Sequence, residues 1–197
     1  VRSNEIAIDQ DARGFDGPVG VGVRSPVIPA ARQFVAAANA TGLPSGDYNG
    51  AGRFDPAGVA SLVQTNTRKG MRSSTFHAYL EDAAELRPNL TIITDALVAR
   101  VLIDDALTAT GVEYRDSAGD THIANASREV ILSAGAVGSP HLLMLSGIGP
   151  RRELEEAGVA CRLDNAHVGK HLKDHLLTAM IFPAEGIGVP LAEVGMS

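Results

Sequence analysis

From Val130 to Pro150 the chain reads VILSAGAVGSPHLLMLSGIGP, without a single formal charge. An uncharged run of that length could cross a bilayer as one helix. Its punctuation argues against it: Gly135, Gly138, Pro140, Gly147 and Gly149 interrupt any long helix, and His141 sits near the centre. The pattern instead predicts a buried strand over 129–133, a glycine turn and then a short helix. Ser139 is the expected cap of that helix, Pro140 its first-turn residue and Gly147 its terminator. No membrane span is expected. The run becomes the middle of a soluble α/β fold.

Composition fits that expectation and narrows the function. Hydrophobic residues make up 45% of the 197 and charged residues 20%, so the chain can fill a core and is not a disordered protein. Aromatics reach only 4% with no Trp, which leaves little for base stacking. Seventeen Lys and Arg against 23 Asp and Glu give a net charge of −6, the wrong sign for a nucleic-acid partner. Cys161 is the only cysteine, so an intrachain disulfide is excluded and a reducing, cytoplasmic location is expected. The chain opens at Val1 with no charged-then-apolar leader, and it reads as an internal piece of something larger.

Along the chain, 1–29 is rich in Gly, Pro and Asp and reads as irregular with short extended pieces. Pro29 opens a helix whose apolar face is Ala31, Phe34, Val35 and Ala38, with Gly42 as its stop. A second helix is expected from Ser73 or Ser74 to the residue before Pro88. From Asn89 the period changes to alternation. NLTIIT, LVARVLI and GVEYR are predicted to form an antiparallel meander, and REVIL a central strand. Pro150 opens a last short helix that Gly158 ends.

Two motifs invite chemistry. Gly20-Val21-Gly22-Val23-Arg24-Ser25 imitates a dinucleotide fingerprint, but no strand is expected before it and Pro26 follows where a helix should start, so it reads as a loop. His167, His171 and His175 recur every four residues, which on a helix would make a weak metal site. Gly169 interrupts that helix, and Lys170 and Lys173 add positive charge, so no metal is assigned. GxSxG, HExxH and Walker loops are absent from the sequence. Sequons at Asn39, Asn89 and Asn125 matter only in a secreted protein.

The order of the remaining blocks is more specific. Residues 135–150, GAVGSPHLLMLSGIGP, resemble the second signature of the glucose–methanol–choline family of FAD-dependent oxidoreductases, whose members include choline dehydrogenase and alcohol oxidases. Asp47-Tyr48-Asn49-Gly50 is similar to the family's DYNG loop, and Gly70-Met71-Arg72-Ser73-Ser74 with Ala78-Tyr79-Leu80 to its GxRxSS…AYL block. RPNLTIITDALVARVLID, GVEYR and REVILSAGA precede the signature as in the family. Residues 168–175, VGKHLKDH, resemble VGxNLxDH. The blocks run from about Phe15 to His175.

The resemblance implies an α/β fold with an α+β portion: a partial Rossmann-like FAD-binding domain with an antiparallel meander, over 89–177, and part of a substrate-binding region, over 1–88, with 178–197 starting a further segment. It implies FAD as cofactor and hydride transfer from a small primary alcohol to the flavin. Val98 matches a family valine whose main chain bonds the adenine; Ser133, Ala134 and Gly135 match a strand end lying against the ribose and adenine. Asn49-Gly50 and Arg72-Ser73-Ser74 are read as structural. No residue here matches the family's catalytic histidine or its pyrophosphate-binding GxGxxG, so no catalytic residue is assigned. The isolated chain is expected to be inactive, to expose apolar surface, and to depend on further chain segments or an oligomer. The alternatives are a non-catalytic remnant acting as an interaction module, or metal binding through His167, His171 and His175. Two departures stand out: His167 replaces a family glycine, where a positive φ would be costly, and His171 replaces an asparagine.

Overall fold

The computed structural model describes residues 2–4, 14–23, 26–47, 49–50, 58–176 and 194–196. Arg24, Ser25, Tyr48 and most of 178–197, all part of the expectations above, lie outside the described residues. Contacts group the chain into two compact units, Val1–Thr91 with Met180–Ser197, and Ile92–Ala179.

The first unit opens with β1 (Arg2–Asn4) parallel to β2 (Val19–Val23). The predicted loop at Gly20 is therefore a strand, a correction with a clear cause. Valines alternating with glycines pack as a strand where a neighbouring backbone comes too close for side chains. A Cβ on Gly20 would lie 2.6 Å from the Thr67 carbonyl oxygen and 2.7 Å from Arg68 Cβ. Helix α1 (Pro29–Ala40) starts with Pro29 at its first position and ends at Thr41 and Gly42, whose φ is +93°. It buries Ala31 and half-buries Val35 and Ala38, while Phe34 stays half exposed.

Next come β3 (Ala60–Leu62), β4 (Gln64–Thr65), which pairs antiparallel with β2, and the hairpin β5 (Thr67–Arg68) and β6 (Met71–Arg72). Lys69 and Gly70 both have positive φ in the two-residue turn between β5 and β6. Ser74 then caps α2 (Thr75–Tyr79) by accepting the His77 amide, and after Leu80 the chain continues as α3 (Glu81–Leu86). Ser73 turns the other way, and its Oγ accepts the Gly20 amide at 3.0 Å. Asp47, buried, holds its loop as a small ring of bonds: its Oδ1 accepts from the Asn49 amide and Gln64 Nε2, and Asn49 Nδ2 donates to Gln64 Oε1.

The second unit is built on an antiparallel meander of β7 (Leu97–Ile103), β8 (Ala109–Arg115) and β9 (Thr121–Asn125), in that order. Both hairpins were legible as turns, but the three strands differ from the expected trio. Among the described residues NLTIIT joins no ladder, and THIAN supplies the third strand. Each turn is closed by an aspartate: Asp104 Oδ1 accepts the amides of Ala106 and Thr108, and Asp116 Oδ1 those of Ala118 and Asp120. That closure places β9 beside β8 despite its polar composition.

Helix α4 (Gly135–Leu145) follows, then β10 (Ile148–Gly149), α5 (Arg151–Glu156), and β11 (Leu163–Asp164), which pairs parallel with β10. The last strand, β12 (Val194–Met196), belongs to the first unit and pairs antiparallel with β3. Two expectations fail around α4. Residues 129–133 are not a strand: among the described residues nothing pairs with them, and Ile131 is 75% exposed. An apolar run becomes a strand only when neighbours take its backbone bonds. The helix also begins at Gly135, not Ser139. Ser139 sits a turn inside and its Oγ reaches back to accept the Ala134 amide at 3.0 Å, which leaves Pro140 in the second turn.

Candidate cofactor site

The sheet edge and α4 border a groove of about 890 Å3. Leu97, Val98 and Ala99 of β7 with Val112 and Arg115 of β8 supply one wall, Val130–Ala134 a second, and Gly138, His141, Leu142 and Leu145 of α4 the third. Among the described residues β7 pairs only with β8, which leaves its other edge without a strand partner. The walls are aliphatic, and Arg115 and His141 are the ionisable side chains on them. Leu97 is 72% exposed and Val98 36%, so the cavity is an open apolar groove. Its chemistry suits a flat, weakly polar ring held by backbone bonds at its edge.

The four residues predicted to meet a cofactor fall on or beside this groove. Val98, Ser133 and Ala134 line it. Gly135 lies next in sequence as the first residue of α4, with φ of +83°. A Cβ there would meet nothing within 4 Å, so conformation rather than space requires glycine. At Gly138, in contrast, a Cβ would press against Ala134 Cβ at 3.0 Å.

One residue that holds the groove together was not anticipated from the sequence. Ser146, buried at the end of α4, accepts the Val101 amide through Oγ at 2.8 Å and donates to the Leu142 carbonyl at 2.6 Å. It fastens the helix to the edge of β7. A serine just before a helix-ending glycine was the available signal.

The histidine series does not form a cluster. His167 Nδ1 and His171 Nε2 are 3.2 Å apart, while His175 Nδ1 meets the Leu176 carbonyl oxygen. Among the described residues no three His, Cys, Asp or Glu side chains come together as a metal site. The strained position also differs from expectation: the positive φ falls on His171, at +58°, and not on His167. Asparagine, the residue expected there in the family, is the side chain that best tolerates this conformation.

Elsewhere, the Asp116 carboxyl is held below its ordinary range. The hydrogen bond from His122 Nε2 to Asp116 Oδ2, at 2.7 Å, is the chief cause; desolvation opposes it, and the Asp120 and Ala118 amides add to it. His122 in turn stacks on Tyr114, centroids 5.2 Å apart. This group lies on the meander and shares no side chain with the groove lining other than through β8 itself.

The sequence model of one family, described as GMC oxidoreductase, matches residues 5–177. The chain belongs to the GMC oxidoreductase family. Among its curated relatives, an oxygen-dependent choline dehydrogenase of Photobacterium profundum is 42% identical over 167 residues, covering 83% of this chain and 28% of that protein. One of Vibrio vulnificus is 39% identical, covering 88% of this chain and 30% of that protein. Solved structures agree. A pyridoxine 4-oxidase from Mesorbium loti superposes with a TM-score of 0.72 at 32% identity, over 83% of this chain and 31% of its own length. A formate oxidase does so with a TM-score of 0.74 at 29% identity, over 86% and 30%. An FAD-dependent oxidoreductase from Chaetomium thermophilum gives 0.71 at 28%, over 83% and 30%. The chain thus spans about three tenths of the length of these GMC relatives. The mixed α/β fold expected from the resemblance is shared with the matched part of these enzymes. Among the described residues no helix is long and apolar enough to cross a membrane.

Proposed function

We propose that this chain is the part of an FAD-dependent oxidoreductase, acting on the CH–OH group of a small primary alcohol, that receives the adenosine end of the cofactor. The observation that carries this is the coincidence of Val98, Ser133 and Ala134 on one open groove with Gly135 at its end. FAD, when bound, would take up the hydride from the alcohol. The residues present fit its adenosine half: aliphatic walls from Leu97 and Leu142 would sandwich a purine, and small side chains at 133–135 let the backbone approach a ribose.

The chain's own residues bind and orient; none of them is assigned to move a proton. Residues 1–88 would contribute to the substrate-binding half and 89–177 to the cofactor-binding half. A cytoplasmic setting, and reliance on further chain segments or an oligomer to cover Leu97 and Ile131, belong to the same proposal. The names of the choline dehydrogenases favour a polar primary alcohol as substrate.

Titration of the purified chain with millimolar AMP, followed by amide NMR, tests the proposal. Shifts should concentrate at Val98 and 133–135 and should vanish in Gly138→Val, which fills the groove. Shifts spread over the surface, or centred elsewhere, would overturn it. With FAD itself, weak binding and no alcohol-dependent bleaching are expected; tight stoichiometric binding with bleaching would defeat the expected inactivity of the isolated chain.

A further inference from the structure

We infer that His167 and His171 form a two-histidine site for a divalent transition-metal ion, separate from the groove and independent of the cofactor proposal. Their ring nitrogens face each other at 3.2 Å, with ring centroids 5.4 Å apart and planes tilted by 36°. Two imidazole nitrogens bound side by side to one ion at about 2.0–2.1 Å stand roughly 2.9 Å apart at a right angle and about 3.3 Å apart at the tetrahedral angle. The observed separation falls between those limits. In the metal-free chain one ring N–H donates to the other nitrogen; on binding, that ring takes its other tautomer, its proton passing through water to its second nitrogen, so that both facing nitrogens present lone pairs to an ion beside the line joining them.

The surrounding loop holds the pair in place. The Asn165 side chain accepts the His167 amide at 3.0 Å, and the Lys170 amide closes a turn on the His167 carbonyl. Gly169 and His171, at φ of +76° and +58°, reverse the chain so that the second ring returns over the first. Of the two lysines that argued against a metal, Lys170 is offset, its Nζ paired with Glu153 Oε1 at 2.6 Å. Both rings are exposed, so water completes the coordination. Imidazole donors without thiolates favour Cu2+ over Zn2+ in such a site.

Calorimetric titration of the full chain with Cu2+ tests the inference, with EPR reporting nitrogen ligation. One equivalent should bind, and EPR should show two nitrogen ligands. His171→Asn, which tolerates the left-handed backbone and keeps the loop, should weaken binding on the order of tenfold or more; His167→Ala should do the same. His175→Ala should bind as the unaltered chain does. Equal affinity in the unaltered chain and His171→Asn would overturn the inference, as would an equal loss in His175→Ala. The circular dichroism of each variant should match that of the parent, which separates loss of a ligand from loss of the fold.

Discussion

Truncating Ser146 to alanine isolates the bond that fastens α4 to the meander. The hydroxyl performs two tasks, and they differ in consequence. Its donor bond to the Leu142 carbonyl is dispensable, because the Ser146 amide still reaches the same oxygen at 3.1 Å. Its acceptor role is not: the Val101 amide, on a residue 7% exposed, has the hydroxyl at 2.8 Å as its partner. Leaving a buried N–H without a partner costs about 1–3 kcal/mol. A cavity of about 230 Å3 lined in part by Val101 and Ser146 adjoins the bond and has room for water, so the cost falls at the lower end of that range. The expected loss is therefore about 1 kcal/mol, a midpoint fall of roughly 4–8 °C for a unit of this size. Ser139→Ala is the matched control. Its bond to the Ala134 amide is exposed, water can replace it, and the loss should stay near 0.5 kcal/mol. Urea denaturation together with amide exchange at Val101 measures both. A loss below about 0.5 kcal/mol for Ser146→Ala, or unchanged exchange at Val101, would refute the assignment of this bond as the fastener.

Gly111→Ala should cost about 1–3 kcal/mol by overpacking, because a Cβ there runs into the Ala124 carbonyl oxygen across the β8–β9 ladder; amide exchange in β9 should rise while β7 is spared. Leu154→Ala, at a side chain 1% exposed, should cost about 2–5 kcal/mol, read by urea denaturation. The Asp116 carboxyl sits below its ordinary range in the folded chain, so it stabilises the hairpin above the unfolded-state value and that contribution is lost as pH falls through the lower, folded one. Exchange at the Asp120 amide should accordingly accelerate in acid, and Asp116→Asn should remove the dependence; an unchanged pH profile in that variant would contradict the assignment.

Much of the local structure was written in the order of residues. Pro29, Ser74, Gly42, Gly147 and Gly158 start or stop helices by rules that act within one turn, so their effects could be read without a fold. The aspartates at 104 and 116 marked both hairpin turns for the same reason. The ordered blocks from Asp47 to His175 also sufficed to name the family. What only the tertiary structure decided depended on partners distant in sequence. Gly20 is a strand because the backbone of Thr67 and Arg68 lies against it, and no feature of VGVGV announces that neighbour. REVIL is apolar enough for a central strand yet among the described residues joins no ladder, since strand formation needs another backbone and hydrophobicity alone supplies none. The bond from Val101 to Ser146 links residues 45 apart, and the pairing of His167 with His171 without His175 follows from the left-handed turn at Gly169 and His171. Short-range sterics and capping belong to the sequence, whereas close approach and mutual satisfaction of polar groups belong to the fold.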